Sequence, residues 1–126
     1  MHKGKAENRG LKRPLLATRY TMAGLKAAWK HEEAFRLELA VAMVMIPSSF
    51  WVGQTAVERS LLIGSCLVVL ITELLNSSIE AVVDRIGIEH NELSGRAKDL
   101  GSASVFCSLV LTIVIWTLII VERFYS

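Results

Sequence analysis

Cysteine is scarce in this chain: Cys66 and Cys107 are the only two among 126 residues. Both lie in apolar blocks, their spacing suggests no metal site, and they read as small packing or lipid-facing residues. Histidine is equally thin, and His2, His31 and His90 have no ligand spacing. There is no Gly-rich loop ending in Lys-Ser or Lys-Thr and no protein-kinase motif set, so a nucleotide site of either common design is excluded. Repeats and low-complexity tracts are absent, which excludes repeat arrays. Acidic residues are nearly missing from the start, where residues 1–30 hold eight Lys or Arg and only Glu7. No short apolar run with a small-residue cleavage site follows that basic start, so no cleavable signal peptide is expected.

What is abundant is apolar. The chain is 52% hydrophobic, with a mean hydropathy of +0.44. Its apolar residues fall in long blocks, the pattern of a membrane protein. The length suits a single domain, residues 1–126. The formal net charge of +2 says less than its distribution. Residues 1–11 read as a flexible basic tail. Over 12–30, Leu15, Thr18, Met22, Leu25 and Trp29 recur at helical spacing beside a strip of Lys12, Arg19, Lys26 and Lys30. Such a basic amphipathic helix suits an anionic membrane surface.

Three spans follow. The first is expected at about 33–52, where Leu39–Val52 is apolar and Pro47-Ser48-Ser49 can kink the far end. Thr55-Ala56-Val57-Glu58 fits a capping box, and Gly87 a stop, which predicts a second helix over 56–86. At about 1.5 Å per residue that helix reaches about 45 Å, well beyond a hydrocarbon core of about 30 Å. The third is expected over 92–121, capped near Asn91 or Ser94. Its Leu100–Val121 stretch, without one charge, is the clearest span. Basic residues concentrate before span one and between spans two and three, which places the N-terminus in the cytoplasm and the C-terminus outside.

The stretch Thr72–Arg85 then acquires a location. Glu73, Asn76, Glu80 and Asp84 are spaced three, four and four, so one side of the second helix carries all of them. Glu73 falls just inside the cytoplasmic boundary, the others at or beyond it. Glu32, before span one, and Lys98-Asp99, before span three, fall at the same depth. Ionisable groups there are a functional-site hypothesis by default. The set matches what phosphoryl transfer needs: carboxylates for Mg²⁺ (Glu32, Glu80), a cation for phosphates (Lys98), and a base for the attacking hydroxyl (Glu73). Spacing alone also admits an ion or proton pathway, or a solvated helix end stabilised by charge pairs. The one-sided clustering counts against a proton-coupled transporter. Three helices per chain cover polar faces poorly, so association and a site between subunits are expected.

Glu73-Leu-Leu-Asn76-Ser-Ser-Ile-Glu80-Ala-Val-Val-Asp84-Arg85, with Glu92-Leu-Ser-Gly95-Arg-Ala-Lys98-Asp99-Leu-Gly-Ser-Ala, closely resembles the bacterial integral-membrane diacylglycerol kinase family. Gly24-Leu-Lys-Ala-Ala-Trp29 and Glu32-x-x-Phe35-Arg36-x-Glu38 match it too, and the likeness covers roughly residues 13–120. The resemblance implies an all-α homotrimer in the bacterial inner membrane, with three transmembrane helices and a surface helix per subunit. It implies transfer of the γ-phosphate of MgATP to diacylglycerol, giving phosphatidic acid in lipid recycling, with no nucleic-acid partner. Undecaprenol kinase, of the same superfamily, is the near alternative.

By that likeness Glu73 is the general base, Glu32 and Glu80 ligate the metal, and Asn76, Lys98 and Asp99 complete the catalytic group. Arg13 and Tyr20 match positions near nucleotide and lipid. Glu89, His90 and Asn91 fall on a nucleotide-contacting loop. Trp29, Ala34, Phe35, Glu38, Trp51, Ser102 and Trp116 fall on or near the lipid crevice. The chain departs from the family at His90-Asn91, where Tyr-His is frequent, and at Arg19, where a small residue is common.

Overall fold

A computed structural model of the chain describes residue 10, residues 12–87 and residues 91–126. Four α-helices account for nearly all of these: α1 (Lys12–His31), α2 (Glu33–Val52), α3 (Ala56–Ile86) and α4 (Glu92–Tyr125). The chain divides into two compact units, residues up to Glu33 and Ala34–Ser126.

The first unit is α1. Its first turn has no acidic residue and its last holds Lys30, a cation that suits the negative end of the helix dipole. Leu15, Met22, Leu25 and Trp29 stay exposed along it, and only Ala28 is buried. Thr18 and Thr21 donate their hydroxyls back to the carbonyls of Pro14 and Ala17. Glu32 interrupts the helical path, although its N–H still donates to the Ala28 carbonyl at 2.9 Å.

In the second unit the chain holds three helices long and apolar enough to cross a membrane: α2, α3 and α4. The α3 helix has 31 residues and α4 has 34, or about 46 and 51 Å at about 1.5 Å per residue. Both therefore overrun a hydrocarbon core of about 30 Å. Large apolar side chains such as Leu61, Ile71, Phe106, Ile113 and Leu118 face outward. An outer surface this apolar fits lipid or further protein, not water.

Local chemistry sets the helix ends. Thr55 caps α3, its hydroxyl accepting from Glu58 N–H at 3.1 Å. The Glu58 carboxylate reaches back one residue further than a capping box requires, accepting from the Gln54 N–H at 2.8 Å. Gly87 ends α3 in an extended conformation (φ 174°), not the left-handed one that a glycine stop brings to mind. Pro47 sits inside α2, which continues to Val52. Around it the Ser48 and Ser49 hydroxyls donate to the Val44 and Ile46 carbonyls. At the end of α2, Arg59 donates from Nε to the Gly53 carbonyl (3.1 Å) and from Nη2 to that of Phe50 (3.4 Å). Gly53 must be small for this: a Cβ there would lie 2.9 Å from Arg59 Cγ and 3.0 Å from the Ser49 carbonyl oxygen.

Helices α3 and α4 run antiparallel with a register of polar contacts. Trp116 Nε1 meets the Leu62 carbonyl (3.3 Å) and Ser65 Oγ (3.2 Å). Thr112 Oγ1 lies 3.2 Å from the Ser65 carbonyl, and the Thr72 and Ser108 hydroxyls meet at 3.0 Å. Between apolar spans, burial of apolar area gives little drive, so close packing and interhelical hydrogen bonds must hold the pair. Each such bond contributes about 0.6 kcal/mol on average in a membrane protein. The core around Ala42, Val52, Leu62, Cys66, Trp116 and Ile119 ties α2 to the pair. The register continues to the other end of the helices, where the polar row lies.

Candidate active site

Helical periodicity turns one side of α3 into a column from Glu73 through Asn76 and Glu80 to Asp84. Burial falls along it. Glu73 and Asn76 are 6% and 8% exposed, Glu80 is half-buried and Asp84 is exposed. A carboxylate as buried as Glu73 in an apolar helix needs compensation.

Asn76 is fixed from two sides. Its Nδ2 donates to Glu80 Oε1 at 3.1 Å. Its Oδ1 is buried without a hydrogen-bond partner and abuts Gly101 of α4. A Cβ at Gly101 would collide with that oxygen and stand 3.2 Å from Asn76 Cγ. Gly101 therefore lets α4 approach closely enough to wall in the amide, and the amide aims Glu80. One turn beyond, Lys98 Nζ donates to Asp84 Oδ1 at 2.8 Å.

From α2, Glu38 brings a second carboxylate within electrostatic reach of Glu73. Its Oε2 is buried with no hydrogen-bond partner. Glu38 also lines a cavity of about 300 Å³ whose other walls include Val41, Met45, Cys66, Val69 and Leu109. A polar group at the wall of an otherwise apolar cavity suits an amphipathic ligand, with a hydroxyl at one end and hydrocarbon at the other.

The second unit thus brings together Glu38, Glu73, Asn76, Glu80 and Lys98. Asp99 is exposed beside them, and the acid on Lys98 is Asp84, not Asp99. Adjacent residues on a helix do not face each other, whereas α3 presents Asp84 across the interface. The roles of Gly101 and Asp84 are not legible from spacing. The signal that finds them is the α3–α4 register, which spacing along one helix does not contain. Asn91 is the N-cap of α4, its Oδ1 accepting from the Leu93 and Ser94 N–H groups at 2.9 and 3.1 Å. Glu89 and His90 lie outside the described residues.

Among residues matched to a lipid crevice, Phe35 is buried on α2, while Ala34 and Ser102 are exposed at the same end of the helices as Glu38 and Gly101. Two others lie far away. Trp116 is 15 residues along α4 from Gly101, about 22 Å by helical rise, and its indole N–H is engaged in the core. Trp51 is 13 residues along α2 from Glu38, about 20 Å, and its ring lies 5.1 Å from that of Phe124. Neither stands at the level of Glu73. Arg13, Tyr20, Trp29 and Glu32 belong to the first unit, where the first three are exposed and Glu32 is half-buried.

Fold and site together define a polytopic α-helical membrane protein with a carboxylate-rich, cation-bearing site at one end of its spans. The sequence pattern of the prokaryotic diacylglycerol kinase family matches residues 19–120. A diacylglycerol kinase of Haemophilus influenzae is 51% identical over 107 residues, 85% of this chain and 91% of its own. One from Pseudomonas aeruginosa is 48% identical over 111 residues, covering 88% and 90%. One from Escherichia coli K12 is 44% identical over 115 residues, covering 91% and 94%. The chain belongs to the prokaryotic diacylglycerol kinase family.

Proposed function

We propose that the protein transfers the γ-phosphate of ATP to the hydroxyl of diacylglycerol at the inner face of the bacterial cytoplasmic membrane. The observation that carries this reading is a buried carboxylate, Glu73, on the membrane helix that also bears Asn76 and Glu80, with Lys98 delivered beside them from α4. Family membership supports the same reading.

The lipid hydroxyl reaches Glu73 from the bilayer side, with its hydrocarbon in apolar space such as the cavity beside Glu38. Glu73 accepts the hydroxyl proton as the oxygen attacks the γ-phosphorus. The bond from that phosphorus to the bridging oxygen breaks, and ADP leaves with the electron pair. Lys98 holds phosphate oxygens throughout, and Asp99, by family likeness, contacts the nucleotide. Burial of Glu73 keeps water from competing with the lipid for the phosphoryl group.

The donor chemistry of the site fits Mg²⁺. This ion takes one or two carboxylates and completes its octahedron with phosphate oxygens and water. Asn76 occupies one oxygen of Glu80 and leaves the other. Glu80 and Glu32, a pair given by family likeness, would hold the ion. When bound it neutralises charge on the β- and γ-phosphates. Among the described residues no cluster of three or more His, Cys, Asp or Glu stands ready for a metal.

A homotrimer with composite sites, and an N-terminus in the cytoplasm, complete the proposal. The homotrimer is what the family likeness implies, and the cytoplasmic N-terminus is supported by the concentration of Lys and Arg before α2. The test is phosphorylation of diacylglycerol in mixed micelles or vesicles, with undecaprenol in parallel. The expected result is MgATP-dependent phosphatidic acid; transfer to undecaprenol alone would reassign the substrate, and transfer to neither would remove the kinase reading.

A further inference from the structure

Asp84 lies one turn beyond Glu80 on α3, about 6 Å by helical rise. It holds Lys98 of α4 through a 2.8 Å bond from Nζ to Oδ1. Both side chains are well exposed, 41% for Lys98 and 62% for Asp84. An ion pair in that setting is solvent-screened and contributes little to stability. A staple between helices is therefore a weak account of it. Its effect on direction is stronger. The ammonium has three N–H donors, and Asp84 occupies one while two remain for phosphate oxygens. Glu80 lies within electrostatic reach of the same ammonium. Without a competing acid, Lys98 would be drawn to Glu80, neutralising the carboxylate that the metal needs.

We infer that Asp84 is a positioning residue for the nucleotide: it orients Lys98 toward the phosphates and keeps it off Glu80. The inference rests on the phosphate-binding role proposed above for Lys98, and it reaches the reaction only through that lysine.

The experiment compares Asp84→Asn and Asp84→Glu with the full-length protein in detergent micelles. It measures KM for MgATP, KM for diacylglycerol, the melting midpoint, and equilibrium binding of a fluorescent ATP analogue. Asp84→Asn is expected to weaken nucleotide binding and raise KM for MgATP about tenfold, the scale of one charge-assisted hydrogen bond. KM for diacylglycerol and the melting midpoint should stay put, and Asp84→Glu should recover most of the affinity. In a Lys98→Met background, Asp84→Asn should change analogue binding no further. The inference is overturned if Asp84→Asn leaves analogue affinity intact, or weakens it equally with and without Lys98. A shift in melting midpoint with no change in analogue affinity would also sink it, because that marks a structural staple. Failure of the unmutated protein to phosphorylate diacylglycerol would strike the proposed function instead, since the binding comparison needs no turnover.

Discussion

Replacing Gly101 with alanine sets two effects of opposite sign against each other. In a helix interior, alanine is favoured over glycine by about 0.5–1 kcal/mol, so α4 by itself should gain stability. The new methyl group, however, would enter space held by Asn76 Oδ1 and lie 3.2 Å from its Cγ. Asn76 is the less yielding partner, since its Cα is only 3.8 Å from the same point. Either the amide rotates and drops its 3.1 Å bond to Glu80, or α3 and α4 move apart near the site. A hydrogen bond to a charged group contributes about 1.5–3 kcal/mol, so kcat/KM should fall by roughly 10- to 150-fold. Overpacking adds about 1–3 kcal/mol of strain against the gain in propensity, so the melting midpoint should fall modestly or hold. The assay is phosphate transfer from labelled ATP in mixed micelles, beside thermal unfolding. In an Asn76→Ala background, which removes the colliding amide, the added methyl should cost little stability. Near-normal kcat/KM for Gly101→Ala would refute the claim that Gly101 holds Asn76 in place.

Three further outcomes test other parts of the site. Glu73→Gln should lower kcat by about 10²- to 10⁴-fold with the melting midpoint preserved; near-normal kcat would remove Glu73 as the base. Glu80→Ala and Glu32→Ala should each raise the Mg²⁺ concentration needed for half-maximal rate, and an unchanged metal titration would remove them as ligands. Trp116→Phe should lower stability by about 1 kcal/mol through loss of the indole donor, with kcat within about twofold; a large rise in KM for diacylglycerol would show that Trp116 also serves the lipid.

Family likeness and residue pattern make most of the architecture legible before any coordinates. The uncharged run from Leu100 to Val121, the cap at Thr55 and the cap at Asn91 each express a local rule, and local rules can be read from neighbouring letters. The column from Glu73 to Asp84 follows equally from the helical period. What periodicity could not order was the importance of its members. Asp84 is the outermost of the four, and it is the one that meets Lys98. Gly101 stood among four small residues, Gly101 to Ser104, with nothing in the string to single it out. Trp51 and Trp116 match a lipid-binding pattern by position, and only the helical rise sets them about 20 Å from Glu38 and about 22 Å from Gly101 along their own helices.

The sequence by itself determined the three spans, the basic amphipathic first helix and the acidic side of α3. Each rests on hydropathy and periodicity within one segment, where the physics is a matter of a few residues and their solvent. The tertiary structure decided the partners: Asn76 against Gly101, Lys98 on Asp84, Glu38 near Glu73, and Trp116 in the core. These depend on the antiparallel register of α3 and α4 and on where α2 joins them. Register between helices is set by side-chain packing and interhelical hydrogen bonds, which a one-dimensional pattern does not carry.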